Sequence, residues 1–183
     1  MSTYNRLNWI EVVAIGDPFT NGLLLEAAIT VTDLSFNILG EWTDIYGSEP
    51  GDIQDVLREF PHDADAFEDS PLIELCEKRW ETERELLYNG GAEIVEVMQK
   101  ADSVGAPLVC RHPWRTRRWI EADLSNVTDA LGDVDIVAAT LLWAQVVADD
   151  SVPIPAEPHR ARDRIRTTMS IVQQHILRLK GPS

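Results

Sequence analysis

The tightest constraint on the fold lies in residues 8–46, where three strand-type segments follow one another with only breakers between them. Asn8–Ala14 (NWIEVVA) is an apolar run interrupted by one carboxylate, and Gly16-Asp17-Pro18 ends it. Leu23–Thr32 (LLLEAAITVT) and Ile38–Tyr46 (ILGEWTDIY) follow, joined by Asp33–Asn37, which reads as a short hairpin turn. The first run, apolar but for one carboxylate, reads as a buried strand. Three such strands in succession predict an antiparallel meander.

Downstream the pattern changes to helix–strand alternation. Asp52–Phe60 predicts a short helix, and the acid cluster Asp63–Asp69 reads as a solvated loop. Ser70-Pro71 are suited to start a helix through Leu72, Leu75 and Cys76, and Gly90-Gly91 to end that segment. A helix over Ala92–Ala101 follows, with Ile94, Val95, Val97 and Met98 on its apolar side. Ala106–Cys110 predicts a short buried strand, and Pro113 opens a helix through Trp119 and Ile120. Val134–Val137 reads as a further strand leading into a helix with Leu141, Leu142 and Val146, and Asp149–Pro158 as a Pro-rich loop. Ile165, Met169, Val172, Ile176 and Leu179 recur at spacings of four, three, four and three, one stripe of a last helix. The expected fold class is α/β: a mixed sheet with three N-terminal antiparallel strands flanked by helices, in one domain over 1–183.

Charge narrows the function classes. The 183 residues carry 16 Lys and Arg against 31 Asp and Glu, a net charge of −15, which disfavours broad nucleic-acid binding. The balance is uneven. Residues 111–118 (RHPWRTRR) and 160–166 (RARDRIR) together hold eight of the 16 basic residues and net +7. Two cysteines, Cys76 and Cys110, fit neither a disulfide framework nor a zinc site. No apolar run has the length of a membrane span, and no signal-peptide core follows Met1, so the expected location is the cytoplasm.

The order and wording of the segments resemble the oligoribonuclease family, DEDDh 3′→5′ exonucleases of the RNase H-like superfamily that degrade very short RNAs. The resemblance is carried by NWIEVVAIG, LLLEAAITVTDLSFNILGE, APLVCRHPWRTRRWIEADL, VDIVAATL and PHRARDRIR, in family order and covering most of the chain except Gly47–Ser103. It implies an RNase H-like exonuclease fold and a two-metal site of four carboxylates and a histidine. Two divalent ions about 4 Å apart repel one another, so such a site needs several anionic ligands.

At those positions this chain departs from the family. The first strand of the family reads W-I-D-x-E; here it is Trp9-Ile10-Glu11-Val12-Val13, leaving Glu11 as the one vestigial carboxylate and Val13 in place of the second. The third carboxylate position falls on Thr116, the general-base position on His159, and the last carboxylate position on Arg164. The apolar residue that the family wedges between bases corresponds to Asp17. A guanidinium where a cation must bind reverses the local field, worth roughly 4 kcal/mol per unit charge at 4 Å and an effective dielectric of 20. The expectation is therefore a degenerate site holding no metal and no other cofactor.

Each feature has a plainer alternative. Glu11 reads as ion-paired with Arg164 or another arginine rather than as a residual metal ligand. His159 reads as retained by ancestry or packing. Arg111, Arg115, Arg117, Arg160 and Arg164 either pair with the many acids or line an anion pocket for phosphate or a partner's carboxylate. Trp114 is placed to stack a base, whereas Trp119 reads as core. The leading expectation is a catalytically inactive pseudo-exonuclease that acts by binding a protein partner, with a phage protein aimed at a host target as one origin that fits. Resemblance implies a homodimer, or a heterodimer with a genuine oligoribonuclease. One alternative is a residual Mg²⁺- or Mn²⁺-dependent 3′→5′ exoribonuclease using Glu11, His159 and Asp163 or Asp135. Another is a non-cleaving binder of nucleotides or short RNA through the arginines. No membrane partner is expected.

Overall fold

The computed structural model describes residues 5–67, 70–83, 90–131 and 160–179. Four strands form one mixed sheet: β1 (Arg6–Ile15), β2 (Leu23–Asp33), β3 (Ile38–Ile45) and β4 (Leu108–Val109), in the order β3-β2-β1-β4. The β1–β2 and β2–β3 pairs are antiparallel, as the successive N-terminal runs require, and β4 joins β1 in parallel. Seven helices are described: α1 (Pro50–Glu59), α2 (Pro61–Phe67), α3 (Leu72–Glu83), α4 (Gly90–Lys100), α5 (Pro113–Asp123), α6 (Ser125–Leu131) and α7 (Ala161–Leu179).

The near-continuous apolar runs of β1 and β2 are explained by cover on both faces. Ile10, Val12 and Ala14 point to one side and pack with Ile94, Met98, Ile120 and Val127 from α4, α5 and α6. Trp9, Val13 and Ile15 point to the other and pack with Ile53, Phe67, Leu72 and Ile165 from α1, α2, α3 and α7. Period-2 alternation therefore sends Glu11 to the second side, between Trp9 and Val13. At about 1.5–3 kcal/mol for each large side chain removed from water, both faces hold the sheet in place.

Asn8 pins the short parallel strand. Its amide donates to the carbonyls of Ser103 (2.9 Å) and Ala106 (3.1 Å), while its backbone N–H donates to Pro107. Beyond Trp9–Val109 the pairing of β1 with β4 stops, so the C-terminal half of β1 needs other hydrogen-bond donors on that edge.

Several expectations need correction. Residues 63–67 of the acid cluster are not a loop but part of α2. Pro61 presets the first turn, Asp63 lies there with favourable sign toward the helix dipole, and Phe67 is buried in the core. Gly90-Gly91 open α4, which starts two residues ahead of the helix expected over Ala92–Ala101, while residues 84–89, where the previous segment was expected to run, lie outside the described residues. The strand expected over Ala106–Cys110 shrinks to Leu108–Val109, since Pro107 has no N–H to offer a ladder. The last helix begins at Ala161, ahead of its apolar stripe, and α6, which the sequence pattern did not signal, follows α5 closely. The predicted strand Val134–Val137, its following helix, the loop Asp149–Pro158, Asp135 and His159 lie outside the described residues. Among the described residues no helix is long and apolar enough to cross a membrane.

Candidate functional site

Of the positions singled out by sequence, Glu11, Val13, Thr116 and Arg164 lie where the C-terminal half of β1 faces α7 and the start of α5. Glu11 is buried, at 2% exposure, and its Oε1 accepts the backbone N–H of Arg111 at 2.7 Å. That amide follows the end of β4, past the last pair of the β1–β4 ladder, and Glu11 serves as its acceptor. In this bond the donor is the main chain of Arg111. Arg111 itself is buried.

Val13 is fully buried, and its cross-strand neighbour on β2 is Glu26. A register shift between Val13 and Ala14 places Leu25 in a bulge, so Leu25 packs with the second core face beside Glu26. Glu26 is 0% exposed and saturated with donors. Its Oε1 accepts from Arg160 Nε (3.0 Å) and Nη2 (2.8 Å) and, at 3.3 Å, from the Thr43 hydroxyl. Its Oε2 accepts the backbone N–H of Ala161 at 2.7 Å. The carboxylate therefore sits on the first amide of α7, where the helix dipole favours negative charge. The bond from Glu26 holds the Arg160 guanidinium above its already high pKa.

Two further arginines supply the donors that β4 does not. Arg115 Nη2 donates to the Ala14 carbonyl at 2.9 Å, and Arg164 Nη1 lies 3.5 Å from the Val12 carbonyl. Both carbonyls lie past the stretch of β1 that β4 pairs. The two cationic islands, distant in sequence, thus converge on one strand. Arg117 pairs with Glu121 one helical turn away, and Arg162 with Glu41 of β3. Thr116 is buried on α5. Burial pushes both thiols up, Cys76 to about 12 and Cys110 well above its usual value, with the charge of Glu26 adding to the first and that of Glu11 to the second.

The turn after β1 is organised by Asp17. Its carboxylate accepts the Phe19 amide at 2.9 Å and pairs with Arg118 at 2.8 Å. The Arg118 guanidinium lies over the Phe19 ring, 5.2 Å from its centroid. Phe19 is 57% exposed, and Trp114, one turn before Arg118 on α5, is 62% exposed. Trp119 is core, as its sequence context predicts.

Sequence reasoning missed Glu26 and Phe19. The signal for Glu26 was present: one carboxylate inside LLLEAAITVT must find a partner once that run is buried. Phe19 offered no comparable signal, because a single aromatic residue in a turn carries no pattern. Among the described residues, no three His, Cys, Asp or Glu side chains come together as a metal-binding group. No protein-family model matches the chain, and no curated protein matches it.

Proposed function

We propose that this chain is a catalytically silent relative of the oligoribonucleases, with an RNase H-like exonuclease fold, that acts by binding a protein partner. The mixed sheet with three antiparallel N-terminal strands supports the fold. The observation that carries the function is the commitment of both carboxylates on the site face, Glu11 and Glu26, to the protein's own donors. Offering Glu26 to a divalent ion means stripping three close donors from it, each such bond to a charged group being worth about 1.5–3 kcal/mol. The remaining carboxylate positions of the family hold a hydrocarbon (Val13), a buried hydroxyl (Thr116) and a cation (Arg164). These residues do not fit a pair of Mg²⁺ or Mn²⁺ ions.

A fold stripped of its chemistry still presents surfaces. The partners that suit this reading are a second copy of the chain, a genuine oligoribonuclease in a mixed dimer, or a host protein if the chain is phage-borne. Incubation of purified protein with end-labelled di- to pentaribonucleotides and Mg²⁺ or Mn²⁺ tests it. The expected result is no release of mononucleotides. Metal-dependent release that Glu11→Gln abolishes overturns the reading.

One observation favours a second reading, a non-cleaving binder of nucleotides or short RNA: Arg118 lies over the exposed Phe19 ring, and the exposed Trp114 stands one turn before Arg118 on α5. Calorimetry with mono- and dinucleotides separates the two. Binding that weakens with salt and is lost in Trp114→Ala supports the second reading, whereas no heat with any nucleotide supports the first.

A further inference from the structure

Helices α1, α2 and α3 cover the second face of the sheet, and between them they leave a cavity of about 400 Å³. Leu57 of α1, Phe67 of α2 and Ile73 of α3 give its apolar walls, while Glu74 and Glu77, one turn apart on α3, give it a negative rim. Glu74 is exposed and Glu77 half-buried, and neither has an ion-pair partner among the described residues. Of the basic residues of this segment, Arg58 pairs with Asp55 and Arg79 with Asp44 and Glu83, while Lys78, one turn after Glu74 on α3, is exposed and makes no ion pair among the described residues. Residues 47–83 hold twelve Asp and Glu against three Lys and Arg. The volume is at the low end of the roughly 300–1,000 Å³ of ligand pockets, a size for anchoring side chains rather than for enclosing a polymer.

We propose that the cleft between α1, α2 and α3 is a docking site for a basic amphipathic helix of a protein partner. Apolar anchors of that helix seat on Leu57, Phe67 and Ile73, and its Lys or Arg side chains meet Glu74 and Glu77. The argument for this occupant is charge complementarity: a net negative segment, twelve acids against three bases, around an apolar floor attracts a cation-flanked apolar stripe and repels an acidic one. The unpartnered Glu77 is the centre of that attraction, because a half-buried carboxylate gains more from a counter-charge than a solvated one. The proposal rests on reading the chain as a binding protein and assigns the surface through which it binds. It places that surface on the acidic helices instead of on the arginine-rich degenerate site.

The test uses the full chain and a fluorescein-labelled synthetic peptide of about 18 residues, five helical turns, with Leu at i, i+3, i+4 and i+7 and Lys on the flanks. Anisotropy is compared for this peptide, for its Lys→Glu version, and for a composition-matched scramble that disperses the Leu stripe. Two double variants carry the same change in net charge: Glu74→Lys/Glu77→Lys on the rim, and Glu93→Lys/Glu96→Lys on α4, away from the cleft. The expected result is binding of the Lys peptide alone, weakened at least about tenfold in the rim variant and by less than about twofold in the α4 variant. Ile73→Ser, which leaves all charges in place, is expected to weaken it as well. Equal losses in both charge variants, an equally tight scramble, or no binding at about 0.1 mM overturns the proposal. So does self-association of the wild type that the rim variant abolishes, which would make a second copy the occupant. None of these outcomes bears on the nuclease assay, so a failed docking site and a failed reading of the chain as catalytically silent are told apart.

Discussion

Substituting Glu26 by Gln is the perturbation that most sharply probes how the site face is held. Glutamine preserves the volume of a fully buried side chain but replaces one acceptor oxygen with an NH₂ donor and removes the charge. Whichever way the amide turns, its NH₂ faces either the Arg160 fork, at 3.0 and 2.8 Å, or the Ala161 amide, at 2.7 Å. The charge attraction alone is about 4 kcal/mol at an effective dielectric of 20 and 4 Å. The Arg160 side chain is 34% exposed, however, and recovers hydration once released, so the figure must be discounted. A net destabilisation of about 2–3 kcal/mol results, for a chain of this size a drop in Tm of about 4–12 °C. Urea unfolding followed by tryptophan fluorescence gives the measurement, with an unchanged m-value showing that the fold is retained. Arg160→Gln alone should cost less, because the Ala161 amide still serves Glu26. The double variant should show a coupling energy of about 1–2 kcal/mol. Since Glu26 is wholly buried, that coupling should survive at about 1 M salt, where exposed pairs are screened. A Glu26→Gln protein within about 0.5 kcal/mol of wild type refutes the argument that this contact fastens α7 to the sheet.

Other perturbations follow from local geometry. Gly16 has φ +74°, and a Cβ there would lie 2.6 Å from the Phe60 ring, so Gly16→Ala should cost about 2 kcal/mol in urea unfolding, and a neutral result contradicts that packing. Cys76 and Cys110 are buried with raised pKa values, so at pH 8 neither should react with Ellman's reagent until the chain unfolds; prompt native reaction of either contradicts the burial. The same shift fixes a sign: an unfolded thiol ionises near 9 and folded Cys76 near 12, so its contribution to stability is lost as pH rises between those values. Asp33 is shifted the other way, lowered chiefly by the Asn37 side-chain hydrogen bond and also by backbone N–H donors of the β2–β3 turn. Its contribution is present above the ordinary value of 3.8 and lost as pH falls through the lowered one; NMR titration of the Asp33 carboxyl checks this, and a midpoint at or above 3.8 contradicts it.

How legible the molecule was from sequence depended on whether one pattern or several partners decided each element. β1, β2 and β3 were legible nearly to the residue, because unbroken apolar runs bounded by Gly16-Asp17-Pro18 and Asp33–Asn37 have one reading. The acid run after Pro61 misled because its charges mask Phe67, and only the tertiary contact of Phe67 shows that the segment has a buried side. β4 was over-long in the reading because Ala106–Cys110 is apolar throughout, while ladder hydrogen bonds, which apolarity does not report, end at Val109. At the site, the substitutions at Val13, Thr116 and Arg164 were legible as chemistry, and so was the need of Glu11 for a partner. That Glu11 meets the main chain of Arg111, and that Glu26 is held by Arg160 and Ala161, was not legible. Those contacts join residues 100 to 135 positions apart, and no local spacing encodes them.

The account stands or falls on whether Glu11 and Glu26 belong to the protein's own donors or to metal. Electron paramagnetic resonance of the full chain titrated with Mn²⁺ reads this directly, because bound ions lose the six-line signal of free Mn²⁺ and a pair of them couples magnetically. The account predicts that the free-ion signal grows from the first addition at micromolar metal, unchanged in Glu11→Gln. Uptake of two Mn²⁺ ions per chain with a coupled spectrum, lost in Glu11→Gln, contradicts it.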